Sequence, residues 1–100
     1  MAKREVPLAT PGEVLLDEFL IPLGVTQYRL AKEIGVPQRR IGEIVAGKRA
    51  ITADTAARLG VFFGMEAEVW LNLQAHHDLV HAREMLAERL AAITPLAVAA

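Results

Sequence analysis

Between residues 38 and 43 the chain reads Gln-Arg-Arg-Ile-Gly-Glu, which sets Gln38, Arg39, Arg40 and Glu43 on one polar stretch. Side chains of these types hydrogen-bond the edges of nucleobases. Glutamine pairs bidentately with adenine, and arginine with the O6 and N7 of guanine, each good contact giving about 1–3 kcal/mol of discrimination. Gln27, Tyr28, Arg29, Lys48 and Arg49 flank that stretch and are candidate phosphate contacts. Gln27 falls in the first turn of a predicted helix, where the helix N-terminus also favours an anion. Taken one at a time, each of these arginines reads equally well as part of a solvated basic face. Their spacing around Gln38 is what points to DNA.

The charge balance hides this feature. The 100 residues carry 11 basic and 12 acidic side chains, a net of −1. Residues 26–50 alone hold Arg29, Lys32, Arg39, Arg40, Lys48 and Arg49 against Glu33 and Glu43, a local net of +4. Residues 51–100 are net −3. A molecule polarised in this way suits one phosphate-facing segment rather than a uniformly basic surface.

Helices must position those side chains. Thr10-Pro11-Gly12-Glu13 is a helix start, with Thr10 as cap and Glu13 placed for a capping box. An apolar stripe of Val14, Leu15, Leu16, Phe19 and Leu20 follows, and Pro22 and Gly24 are expected to end that helix. Thr26 caps a second helix carrying Leu30, Ala31 and Ile34, stopped by Gly35. Pro37 opens a third, whose inward residues are Ile41, Ile44 and Val45 and which Gly47 closes. An eight-residue helix, a three-residue turn with a leading glycine and a second helix form a helix-turn-helix, centred on residues 26–45. Its second helix keeps apolar side chains only where it must pack, leaving the Gln38–Arg39–Arg40 face free. Thr52 is expected to cap a fourth helix bearing Ala56, Leu59, Phe62 and Phe63. A fifth begins near Glu66 and is expected to run to about Ile93, with a break near His76–Asp78 as the alternative.

Other chemistries find little support. Without cysteine there is neither a disulfide scaffold nor a thiolate zinc site, and without serine there is no serine nucleophile. His77 and His81 are one helical turn apart, beside His76 and Asp78, but three ligands in tetrahedral geometry are not evident. No metal, cofactor or enzymatic activity is therefore expected. The N-terminal residues lack the apolar run of a signal peptide and no stretch reaches 18 uncharged apolar residues, so the expectation is a cytoplasmic protein with no membrane partner. The last helix carries Val69, Trp70, Leu73, Val80, Leu86 and Leu90, more apolar surface than a lone small domain covers. Trp70 and Leu73 are read as core under Phe62 and Phe63, and Val80, Met85, Leu86 and Leu90 as dimer or partner contacts.

At this level of detail the chain resembles the phage-repressor-like (XRE) helix-turn-helix superfamily, and more closely the HigA/VapI-type antitoxins of toxin–antitoxin modules. The resemblance rests on PGEVLLDEFLIPLG at 11–24, TQYRLAKEIGVPQRRIGEIVAGKRAIT at 26–52, ADTAARLGVFFG at 53–64 and EVWLNLQAHHDL at 68–79, and covers roughly residues 8–80. It implies an all-α, five-helix, lambda-repressor-like fold. It further implies a homodimer that binds a palindromic operator in its own promoter and neutralises a RelE-like, mRNA-cleaving toxin. By motif position Gln27 carries over as a phosphate contact, Gln38, Arg39 and Arg40 with Glu43 as reading positions, and Lys48 and Arg49 as backbone contacts. Trp70, Leu71 and Leu73 fall in the motif that supports the core and often the dimer. Gly42 and Gly60 depart from the pattern by lying inside helices, where glycine costs about 1 kcal/mol relative to alanine.

The expected organisation is an N-terminal arm over 1–9, the DNA-binding domain over 10–80 and a helical extension and tail over 81–100. Two other functions fit the same residues: a helix-turn-helix regulator with no toxin partner, and an interaction module that has lost DNA binding.

Overall fold

The structure, a computed structural model, describes residues 8–97; most of the expected N-terminal arm and the last residues of the tail lie outside them. Every described element is helical. The first, α1 (residues 11–23), begins where Thr10 Oγ1 accepts the Glu13 N–H at 3.1 Å. It is α-helical over Pro11–Val14, π-helical over Leu15–Leu20 and α-helical again over Ile21–Leu23. Pro22 and Gly24 were expected to end this helix: it does end at Leu23, with Gly24 as a left-handed cap at φ +66°, but Pro22 lies within its last turn. The stretch ahead of the proline is wound wider, with the Ile21 N–H closing on the Leu16 carbonyl. A widened turn is one of the ways a helix carries a residue that has no N–H to donate.

The next two helices are α2 (Gln27–Ile34) and α3 (Gln38–Val45). Thr26 caps α2 by accepting the Arg29 N–H at 3.0 Å. Gly35 ends it at φ +73°, and the Val36 N–H reaches back to the Ala31 carbonyl at 3.0 Å. That left-handed corner is cheap only for glycine, and it turns the chain sharply enough for α3 to start three residues later. Pro37 sits at the N-cap of α3 rather than inside it.

Three helices complete the fold: α4 (Ala53–Phe63), α5 (Ala67–Met85) and α6 (Ala87–Ala91). Thr52 occupies the N-cap of α4, but its hydroxyl makes no capping hydrogen bond. The described residues thus form six helices, not five. The long last helix runs unbroken through His76–Asp78 and bends instead at Leu86 (φ −105°, ψ 13°), and α6 ends at Ala91. No helix among the described residues is long and apolar enough to cross a membrane.

The core is shared by all of α1 to α4 and one turn of α5. Leu15 and Leu20, Leu30, Ala31 and Ile34, Ile41 and Ile44, Ala56 and Leu59, and Trp70 are buried together, with Val36 and Ile51 from the connecting turns. Trp70 is fully buried and closes the far end, its ring centroid 4.9 Å from that of Phe19. Its indole N–H has no partner within the described residues, so ring contact and apolar burial hold it there. Gly12 seats α1 against α3: a Cβ at that position would overlap the Ile44 carbonyl oxygen. The backbones therefore touch where the start of α1 crosses the end of α3, and this fixes the tilt of α3 on the bundle.

Candidate nucleic-acid interface

The first turn of α3 begins at the surface, just past the glycine corner. Gln38 and Arg39 are exposed there, and 86% of the Arg39 side chain is open to solvent. Ile41 and Ile44 on the opposite face are buried, so the helix is anchored from behind while its outward side chains stay free. Ala31 of α2 is buried between the two helices, and its small side chain lets them approach closely.

Glu43 lies one turn beyond Arg39 and is half-buried. Its carboxylate accepts from Arg39 Nε at 3.2 Å and from Arg49 Nε at 2.9 Å. The Arg39 hydrogen bond is the largest influence; it outweighs the upward push of desolvation and, with the Arg49 hydrogen bond and the two positive charges, holds the pKa below the ordinary carboxylate value. The same carboxylate thus gathers one arginine of α3 and one of the following loop. Arg40 points elsewhere. Its Nη1 donates to Asp54 Oδ1 at 2.7 Å, and only 27% of its side chain is exposed. Asp54 also accepts from Arg58 Nε at 2.9 Å, and these two hydrogen bonds, Arg40 first, lower its pKa.

The predicted phosphate contacts line both sides of α3. Gln27 begins α2, and its Oε1 lies 3.9 Å from where a Cβ on Gly42 would stand, so the start of α2 leans on the middle of α3. Tyr28 and Arg29 are exposed on the same turn. Lys48 and Arg49 are exposed on the loop between α3 and α4. That loop is held at both ends: the Lys48 N–H bonds the Glu43 carbonyl at 2.8 Å, and the Ile51 N–H bonds Gln74 Oε1 at 2.8 Å. Gln74 is itself fixed by donating to Asp78 Oδ1 at 2.9 Å. The structure therefore brings Gln27, Gln38, Arg39, Glu43 and Arg49 around one exposed ridge. Arg40 sits beside it, tied to α4.

Residues proposed on the last helix divide in two. Trp70 and Leu73 belong to the core, Leu73 partly buried against it. Val69, Leu86 and Leu90 are about two-fifths exposed, and Val80 is half-buried. The sequence reading missed Asp54, Arg58 and Gln74. Asp54 and Arg58 are a carboxylate and an arginine four residues apart on α4, a local signal that was available. Nothing local relates Gln74 to Ile51, 23 residues earlier. His77 and His81 stack with centroids 6.4 Å apart, and no group of three or more metal-binding side chains occurs among the described residues.

An exposed, basic recognition helix on a buried helical scaffold is the pattern of a DNA-binding helix-turn-helix protein, and the comparisons agree. The helix-turn-helix family matches residues 16–70. Virulence-associated protein I of Dichelobacter nodosus is 48% identical over 82 residues, 82% of this chain and 76% of that protein. Antitoxin HigA-1 of Vibrio cholerae serotype O1 is 36% identical over 87 residues, 87% of this chain and 82% of its own. The solved structure of Pseudomonas aeruginosa antitoxin HigA with the higBA promoter superposes with a TM-score of 0.86 at 35% identity, covering 91% of this chain and all of that one (100%). The chain belongs to the helix-turn-helix family and, within it, to the HigA-type antitoxins. It is a DNA-binding regulator rather than an enzyme.

Proposed function

We propose that this chain is a homodimeric antitoxin that represses its own promoter through a palindromic operator and neutralises a RelE-like, mRNA-cleaving toxin. The observation that carries the DNA half is the free first turn of α3, with Gln38 and Arg39 exposed above buried Ile41 and Ile44. On this reading Gln38, Arg39 and Arg40, with Glu43, face base edges in the major groove. Gln27, Tyr28, Arg29, Lys48 and Arg49 hold the phosphates on either side. Arg39 can leave Glu43 for a guanine, because an exposed ion pair within one helix is weak beside a bidentate base contact.

A palindrome requires a two-fold dimer with recognition helices about 34–36 Å apart. Leu86 and Leu90, exposed beyond the bundle, are the residues proposed to meet their copies. The toxin half is supported by likeness to HigA antitoxins. Such a protein works in the cytoplasm, beside its promoter and the messages its toxin would cut.

A gel-shift assay on the chain's own promoter fragment tests the reading. The wild-type protein shifts the fragment at nanomolar to micromolar concentration; the Gln38→Ala/Arg39→Ala variant, with an unchanged melting temperature, does not. Equal binding by both would overturn the assignment of α3. Co-expression with a RelE-like, mRNA-cleaving toxin tests the second half, rescue of growth being the expected result and continued growth arrest the result against it.

A further inference from the structure

Arg39 and Arg40 are neighbours in sequence but are held in different ways. Arg39 is almost fully exposed and bonds only within its own helix, to Glu43. Arg40 is bound across helices. Asp54 Oδ1 takes Arg40 Nη1 at 2.7 Å and Arg58 Nε at 2.9 Å. Arg58 Nη1 then donates to the Ile34 carbonyl at 2.7 Å and, more weakly, to the Gly35 carbonyl at 3.4 Å. One carboxylate oxygen thus links α3 to α4 and, through Arg58, to the last carbonyls of α2 at the glycine corner. Three side chains tie together both helices of the helix-turn-helix and the helix that follows.

For Arg40 this leaves one free edge. Its Nη1 is committed to Asp54, while Nε and Nη2 make no hydrogen bond to the described residues. A guanidinium edge of that kind presents two parallel N–H groups, the pattern that guanine O6 and N7 accept.

We propose that Asp54, outside the recognition helix, is a specificity-determining residue that acts through Arg40, aiming its Nε–Nη2 edge at one base pair. The inference rests on the DNA-reading function proposed above. An arginine free to swing takes any acceptor within reach, phosphate or base, and loses rotamer freedom when it binds. One held from behind has lost that freedom already and meets a single acceptor position. Asp54 also places a negative charge beside the phosphates, which weakens binding to any sequence alike. Asp54 therefore lowers indiscriminate affinity while sharpening choice at one position. It is a positioning residue and need not touch DNA.

The test selects bound sequences from a randomised duplex pool, using the full chain as wild type, Asp54→Ala, Asp54→Ser, Arg40→Ala and Arg40→Ala/Asp54→Ala. The serine variant keeps an oxygen at the start of α4 but is too short to reach Arg40, so it serves if the alanine variant folds poorly. Arg40→Ala identifies the base pair that Arg40 reads. At that pair Asp54→Ala is expected to lose about tenfold in preference, the lower range of one oriented base contact. Preference at the pairs read by Gln38 and Arg39 stays as in wild type, and affinity for unselected duplex holds or rises. In the Arg40→Ala background, removing Asp54 has no further effect on preference.

A loss spread evenly over all positions would give Asp54 a merely structural role and overturn the proposal. So would an equal effect of Asp54→Ala with Arg40 absent, or an Arg40→Ala motif identical to wild type. If the wild-type chain enriches no motif, the DNA-reading function itself fails and the proposal falls with it.

Discussion

Residues 11–73 and residues 79–91 are both built of helices, yet one region has a core and the other has none. In the first, α1 to α4 and the opening turns of α5 bury side chains from five helices in one cluster. In the second, no side chain at the end of α5 or in α6 is fully buried, and Leu79, Met85, Leu86 and Leu90, with Ile93 just beyond, are all more than a third exposed. The radius of gyration, 17.0 Å against about 13 Å for a spherical chain of this length, reflects that projecting arm. A short helix exposing apolar side chains is marginal alone, so the arm gains most of its stability from whatever covers it. Reading DNA calls for the rigid region; the dimer proposed above would use the unfinished one.

The contrast can be broken first at the core. Trp70→Ala removes the side chain on which Phe19 and Phe63 rest, and about 3–5 kcal/mol of stability goes with it in a chemical denaturation series. Trp70→Phe costs much less, because the indole N–H has no partner to lose. On the arm, Leu86→Asp with Leu90→Asp leaves the melting temperature of a dilute sample close to wild type. The same pair lowers operator affinity about a hundredfold by uncoupling the two half-sites, with monomers seen by light scattering. A large fall in melting temperature with no change in oligomeric state would erase the distinction between the regions.

Two glycines make a smaller comparison within the rigid region. A Cβ on Gly60 would come within 2.8 Å of the Met65 carbonyl oxygen, so Gly60→Ala forces α4 from the start of α5 and costs about 1–3 kcal/mol. Gly42 has only the flexible end of Gln27 nearby, and Gly42→Ala stabilises by up to about 1 kcal/mol. Thermal melts of the two variants should therefore move in opposite directions. The smallest effect concerns pH. Glu43 and Asp54 both have pKa values lowered by their arginines. Their contribution to stability is full above the ordinary carboxylate range and fades as pH falls through and below it. Glu43→Gln with Asp54→Asn lowers stability slightly near neutrality, where that contribution is full, and so flattens the acid side of a stability–pH curve; an unchanged acid side would count against both clusters.

Where sequence carried a local signal, the fold was readable. Thr10, Thr26 and Gly35 mark boundaries through their own backbone chemistry, and the spacing of Leu30, Ile41 and Ile44 marks the buried faces. The exposure of Gln38 and Arg39 followed from the same periodicity. What was not readable depends on contacts distant in sequence or on none at all. The tie that holds Arg40 was not readable, because nothing near it announces Asp54, 14 residues on. The bend at Leu86 falls in a run of good helix formers with no glycine or proline, so propensity alone extends the helix past it. Pro22 and Gly24 did mark the end of α1, but the widened turn that carries the proline inside the helix had no local signal.

The chain has a single tryptophan, Trp70, and its position makes it a selective optical reporter. Packed among Phe19 and Phe63 with no exposure to water, it will emit at short wavelength while the bundle is closed and shift red when the bundle opens. Leu86 and Leu90 lie more than four helical turns further along. Dissociation of the proposed dimer at that arm should leave the emission unchanged, so fluorescence and light scattering recorded on one sample would time the two events independently.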